Sequence, residues 1–103
     1  MKHGKPLNII CAGEGMMELR RACDSNPKNN HYQSSFAGDV VNFSVYLKRL
    51  YRDSSVQLLS AIGNDSISQK MYDFLSNAGI DTALVARSQS KTIGLYTVEN
   101  DDL

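Results

Sequence analysis

The 103-residue chain reads as an α/β protein built on a parallel sheet. Three observations predict it. Short β-branched apolar runs at 7–12 and 56–62 alternate with longer segments whose apolar residues recur at helical spacing. Each of those runs closes on a glycine, Gly13 and Gly63. The resulting order of strand, helix, strand, helix, strand is that of βαβ units with right-handed crossovers.

The elements follow in turn. Residues 7–12 are too short and too β-branched for a helix and stop at Gly13-Glu14-Gly15, which predicts a buried strand. Residues 16–19 predict a second, shorter strand. Residues 20–31 are polar, with Pro27 and three asparagines, and predict an exposed loop. Residues 32–36 predict a brief edge strand. From Asp39 the period changes: Val40, Phe43, Leu47 and Leu50, widened by Val41 and Tyr46, make one helical face of about three turns, with Asp39 as N-cap. Residues 56–62 then return to strand. Ser66-Ile67-Ser68-Gln69 matches a capping box, and Ile67, Met71, Phe74, Leu75 and Ala78 form the apolar stripe of a helix over 66–78 that ends at Gly79. Strands are predicted at 80–85 and 92–99, and a turn signal at 100–102 predicts that the last strand has its hairpin partner beyond Leu103.

Composition narrows the function. Eleven basic residues balance eleven acidic ones, so no basic excess points to nucleic acid. No apolar run approaches the ~20 residues of a membrane helix, and the start lacks a secretory signal. Two cysteines, Cys11 and Cys23, are too few for a disulfide framework or a zinc site. These observations predict a cytoplasmic domain without nucleic-acid or membrane partners. His3 and His31 stand in polar segments with no metal-ligand spacing around them, and no metal site is predicted.

Candidate chemistry sits at two places. Gly13-Glu14-Gly15 follows a strand, but position 18 is Glu where a dinucleotide fingerprint needs glycine, so a strand-ending turn competes with that reading. Glu14 and Glu18 form a carboxylate pair near a strand end, either facing a ligand or solvated. The segment Gly38-Asp39-Val40-Val41-Asn42 is the stronger candidate. A glycine before a helix lets a ligand approach the backbone, the first free amides favour its oxygens, and Asp39 and Asn42 can satisfy hydroxyls. Against this stands the plain alternative of a capping Asp39 and a solvated Asn42.

The order of motifs resembles the N-terminal third of ribokinase-like carbohydrate kinases of the phosphofructokinase-B family, most closely those acting on 2-keto-3-deoxygluconate. Residues 13–19 resemble the family's opening G-E-x-M-x-E-L, and residues 36–46 its F-G-G-D-x-x-N-x-S-V-Y. Residues 60–71 resemble A-L-G-x-D-S-x-S-Q-x-M, and Gly94-Leu95-Tyr96 the G-L-Y of a lid strand. The resemblance implies a three-layer parallel sheet with a small β lid, its strands near 17–36 and 92–99. It implies ATP-dependent phosphorylation of a sugar acid, with Gly38, Asp39, Val40, Val41, Asn42 and Tyr96 at the substrate and ATP with Mg2+ as cofactors of the complete enzyme. Ala37 departs from the family's glycine pair. The D-T-x-G-A-G-D block that carries the family's catalytic base does not occur in these residues, nor does a nucleotide-binding region. The chain by itself is therefore expected to be inactive and to bind neither ATP nor Mg2+. Other sugar kinases of the family, such as fructokinase or ribokinase, and a non-catalytic sugar-binding or interaction module pairing through its lid strands, are the competing expectations.

Overall fold

The computed structural model describes residues 5–22 and 30–99. His3, Cys23, Pro27 and the turn signal at 100–102 lie outside the described residues. The chain order is β1 (Asn8–Ala12), β2 (Met16–Arg21), β3 (Tyr32–Ala37), α1 (Asp39–Leu50), β4 (Ser55–Gly63), α2 (Ser66–Asn77), β5 (Val85–Ser88) and β6 (Gly94–Val98).

These strands make two sheets. The main sheet has the order β1-β4-β5 and is parallel throughout, as the alternation of strands and helices predicts. Both crossovers step in the same direction across it, so crossovers of one hand put α1 and α2 on the same face. Cys11, Val56, Leu58 and Ile62 from the sheet meet Val41 and Val45 of α1 and Met71 and Leu75 of α2 in one core. The opposite face is bare: Ile10 is 58% exposed and Leu59 49%, with Ala12 and Ala61 exposed beside them. The described residues thus supply the sheet and one helical layer.

The second sheet has the order β3-β2-β6, antiparallel between β2 and β3 and parallel between β2 and β6. Met16 lies opposite both Ala37 and Gly94, so the three passages between the sheets among the described residues fall at one end of it. β2 runs two residues further than predicted. Arg20 and Arg21 belong to the ladder, opposite Gln33 and Tyr32, rather than to the loop.

Four further expectations are corrected. The N-cap of α1 is Gly38, at φ 110 and ψ 146, and Asp39 is the first helical residue. Glycine adopts that backbone readily, and its carbonyl accepts the first helical bond from the Asn42 amide at 2.9 Å. The buried face of α1 is Val41, Ser44 and Val45, while Phe43, Tyr46 and Leu50 are exposed. Ser44 is tolerated inside because its hydroxyl donates to the Val40 carbonyl at 2.7 Å.

The cap of α2 is likewise one residue early. Asp65 is the N-cap, its Oδ1 accepts from Ser68 Oγ at 2.5 Å, and Gln69 turns away to Asp73 and Arg87. At the other end the expected left-handed glycine is present at Gly79, φ 83. Bonds from the Ile80 amide to the Leu75 carbonyl and from the Gly79 amide to the Ser76 carbonyl close a Schellman motif. Finally, the strand expected at 80–85 is interrupted. Asp81 makes one parallel bridge to Gln57, then its carboxylate captures the Ala83 amide at 2.9 Å and turns the chain, so pairing resumes only at β5.

Candidate functional site

The C-terminal ends of β1 and β4 open into a cavity of about 490 Å³ lined by Ala12, Gly13, Glu14, residues 59–62, Ser88, Lys91 and Thr92. Open α/β sheets bind ligands at this end of their strands. Glu14 links the cavity to the start of α1. Its carbonyl lies under Gly38, where an added Cβ would stand 2.9 Å away, and its Oε1 lies 2.8 Å from the place a Cβ on Gly94 would take. The beginnings of α1 and β6 are thereby held against the same loop.

Gly38 fits nothing larger than hydrogen, on both backbone angle and space. Ala37 is accommodated without strain, since no described residue other than glycine has a positive φ. It is buried at the end of β3, opposite Met16. The amide of Asn42 is taken by Gly38, which leaves those of Asp39, Val40 and Val41 without a helical acceptor. Val41 is fully buried, and Val40 packs so closely on Gly13 that a side chain there would collide with it. Asp39 is exposed in the first turn, where its charge suits the helix dipole.

Tyr96 stands on β6. Its hydroxyl donates to Glu18 Oε1 at 2.8 Å across the β2–β6 rung on which the two residues are paired. That bond, burial and the Glu18 charge raise the phenol above its ordinary value. The Arg20 charge opposes the shift and that of Asp39 adds a little to it. Glu18 also accepts from Ser35 Oγ at 3.3 Å and pairs with Arg20 at 3.6 Å.

Of the residues singled out from sequence, Glu14 lines the cavity and lies against Gly38, which Asp39 follows, while Glu18 and Tyr96 bond each other two rungs along the second sheet. Asn42 lines a separate groove of about 280 Å³ along α1 with Val45, Tyr46, Arg49 and Phe74. Two features went unread in the sequence. One is the Glu18–Tyr96 bond, which depends on a pairing between strands 78 residues apart. The other is Asp65, whose Oδ2 accepts from Thr92 Oγ1 at 2.8 Å and ties the approach to β6 onto the start of α2. Hydrogen bonds from Ser68 and Thr92 hold the Asp65 carboxyl below its usual range. Asp65 sits in the motif at 60–71, but the capping box was read one residue late.

Among the described residues, no three His, Cys, Asp or Glu side chains stand close enough to hold a metal ion, and no helix is long and apolar enough to cross a membrane.

The family model described as pfkB family carbohydrate kinase matches residues 6–102. A 2-dehydro-3-deoxygluconokinase of Escherichia coli K12 is 35% identical over 95 residues, which are 90% of this chain and 29% of that protein. Its counterpart in Dickeya dadantii is 33% identical over 96 residues, 91% of this chain and 29% of its own. Among solved structures, a fructokinase from Xylella fastidiosa is similar with TM-score 0.81 at 22% identity, covering 91% of this chain and 29% of that one. The same fructokinase is also known with bound ATP. A 2-dehydro-3-deoxygluconokinase from Thermotoga maritima reaches TM-score 0.76 at 18% identity over 88% of this chain and 27% of its own. The chain spans about 29% of the length of these curated relatives.

Proposed function

The chain belongs to the pfkB family of carbohydrate kinases, and on that premise we propose that it is the N-terminal part of a kinase that phosphorylates 2-keto-3-deoxygluconate with ATP. Both curated relatives named above carry that activity in their names. In this reading Gly38 and the free amides of Asp39, Val40 and Val41 cradle the sugar acid, Asp39 accepts from its hydroxyls, and the second sheet is the lid that brings Tyr96 over it.

The observation that carries the reading is the convergence at Glu14. A helix start that admits no side chain at Gly38 and a strand bearing Tyr96 are packed on one loop, beside a cavity at the strand ends. That arrangement suits a small polyhydroxylated ligand gripped between backbone amides and a phenol. Asn42 is assigned to the same ligand only through the family motif.

ATP and Mg2+ are assigned to sequence outside this chain. Residues 1–103 contain no glycine-rich phosphate loop ending in Lys-Ser or Lys-Thr, and the family's D-T-x-G-A-G-D block does not occur in them. The catalytic base is assigned there as well, so the 103 residues alone should bind sugar weakly and transfer nothing.

The test is a coupled assay on the complete kinase. With ATP present, 2-keto-3-deoxygluconate should be phosphorylated with a higher kcat/KM than fructose or ribose. Asp39→Ala should raise the sugar KM about tenfold, the equivalent of one or two hydrogen bonds, and leave the KM for ATP unchanged. A preference for fructose would move the assignment to a fructokinase.

A further inference from the structure

We propose that Glu18 is a positioning residue which, by taking the Tyr96 phenol proton, leaves that phenol as a hydrogen-bond acceptor only. This wall of the cleft then reads a hydroxyl of the ligand and disfavours its carboxylate. The inference rests on the placement of Tyr96 at the sugar and deepens it by naming the group that Tyr96 reads.

A phenol has one proton to give and lone pairs to receive with. In Tyr96 the proton is committed to Glu18 Oε1 at 2.8 Å. The carboxylate that takes it is held on both oxygens: Oε2 by Ser35 Oγ at 3.3 Å, and Oε1 by Arg20 at 3.6 Å as well as by Tyr96. Ser35, Glu18 and Tyr96 occupy one rung across the three strands of the second sheet, so backbone pairing sets the spacing of the three side chains. The Glu18 side chain is only 18% exposed, whereas Arg20 is half exposed and lies towards solvent. Glu18 is therefore placed to act through Tyr96 rather than to swing into the cleft.

The consequence for the ligand follows from charge and valence. A hydroxyl approaching the phenol finds a free lone pair and can donate to it. A carboxylate finds no proton, and meets the negative charges of Glu18 and Asp39, both of which already act on the phenol. The raised ionisation of Tyr96 agrees with a proton held tightly by its neighbour.

The experiment is a double-mutant cycle in the complete kinase, read as sugar KM against kcat. Glu18→Leu should raise the sugar KM about tenfold, the worth of roughly one hydrogen bond, with the KM for ATP unchanged. Glu18→Gln keeps an acceptor oxygen and should stay within about threefold of the parent. On a Tyr96→Phe background, Glu18→Leu should add less than about twofold, because residues that act as a unit are not additive. An equal loss in both backgrounds would show Glu18 touching the sugar itself and overturn the proposal, as would Gln falling as far as Leu. Tyr96→Phe without effect on the sugar KM would instead remove Tyr96 from the site, a separate failure of the underlying assignment. Ring-labelled tyrosine NMR gives a readout independent of turnover. The Tyr96 phenol should ionise at higher pH in the parent than in Glu18→Leu, and identical titrations would count against the contact.

Discussion

The two sheets are held together by different physics. The parallel sheet has a continuous apolar face against α1 and α2, with Val41, Val56, Leu58, Met71 and Leu75 almost wholly buried. The second sheet has little of this. Met17 and Phe36 reach the core near its attached end, and Phe36 packs on Phe74 of α2 with ring centroids 5.7 Å apart. Beyond that its cross-strand contacts are polar: Ser35–Glu18–Tyr96 on one rung, and Tyr32 and Arg21 gathered on Glu99 further along. Apolar burial is concentrated in one sheet, and polar cross-strand contacts in the other. Buried apolar area sets folding free energy, while exposed polar ladders add little to it and remain available for chemistry.

Mutations can break that division or sharpen it. The largest effect is expected from Leu58→Ala, in the central strand of the main sheet and 1% exposed. It should cost about 2–5 kcal/mol in urea denaturation, as large-to-small core changes do. Loss of under about 1 kcal/mol would mean that the core is not where stability resides. Gly38→Ala comes next. Its φ of 110 and the Glu14 carbonyl behind it predict about 1–3 kcal/mol of strain, visible as a lowered Tm.

A smaller effect, dependent on pH, is expected at Asp65. Its folded carboxyl is held below the unfolded value, so the stability it contributes is complete above the unfolded value and disappears as pH falls through the lower folded one. Asp65→Asn should therefore lose more stability at neutral pH than at pH 2–3, and its melts across that range should be flatter than the parent's. Tyr96→Phe should be smallest of all, within about 0.5 kcal/mol of the parent in urea. A large loss there would make the second sheet's polar rung a structural device after all.

The main sheet was legible in the sequence because its determinants are local. β-branched runs closed by glycines, and the left-handed Gly79 after a periodic stripe, need no tertiary information. What failed needed context. Asp39 and Ser66 looked like caps, but Gly38 and Asp65 precede them and take that role. The α1 stripe was read through Phe43 and Leu50, yet α1 turns Val41, Ser44 and Val45 inward, and a serine with its hydroxyl bonded to its own helix is invisible to an apolar count. Of the candidate site, Gly38 and Tyr96 stand in motifs that the sequence shows on its own. The Glu18–Tyr96 partnership does not show there, since it exists only once β2 and β6 are neighbours. Asn42 is a motif residue that lines a different groove.

The register of the second sheet has a mechanical consequence. Among the described residues, every covalent passage to the main sheet enters at the rung of Met16, Ala37 and Gly94, so the described ladder is a cantilever fixed at that root. Any small rotation about that root displaces the tip, where Arg21 and Tyr32 are paired, several times further than a point near the fixing. Tyr96 is two residues out, about 7 Å along the strand. Arg21 at the tip is five residues out, so a swing about the root carries Tyr96 about two-fifths as far as the tip.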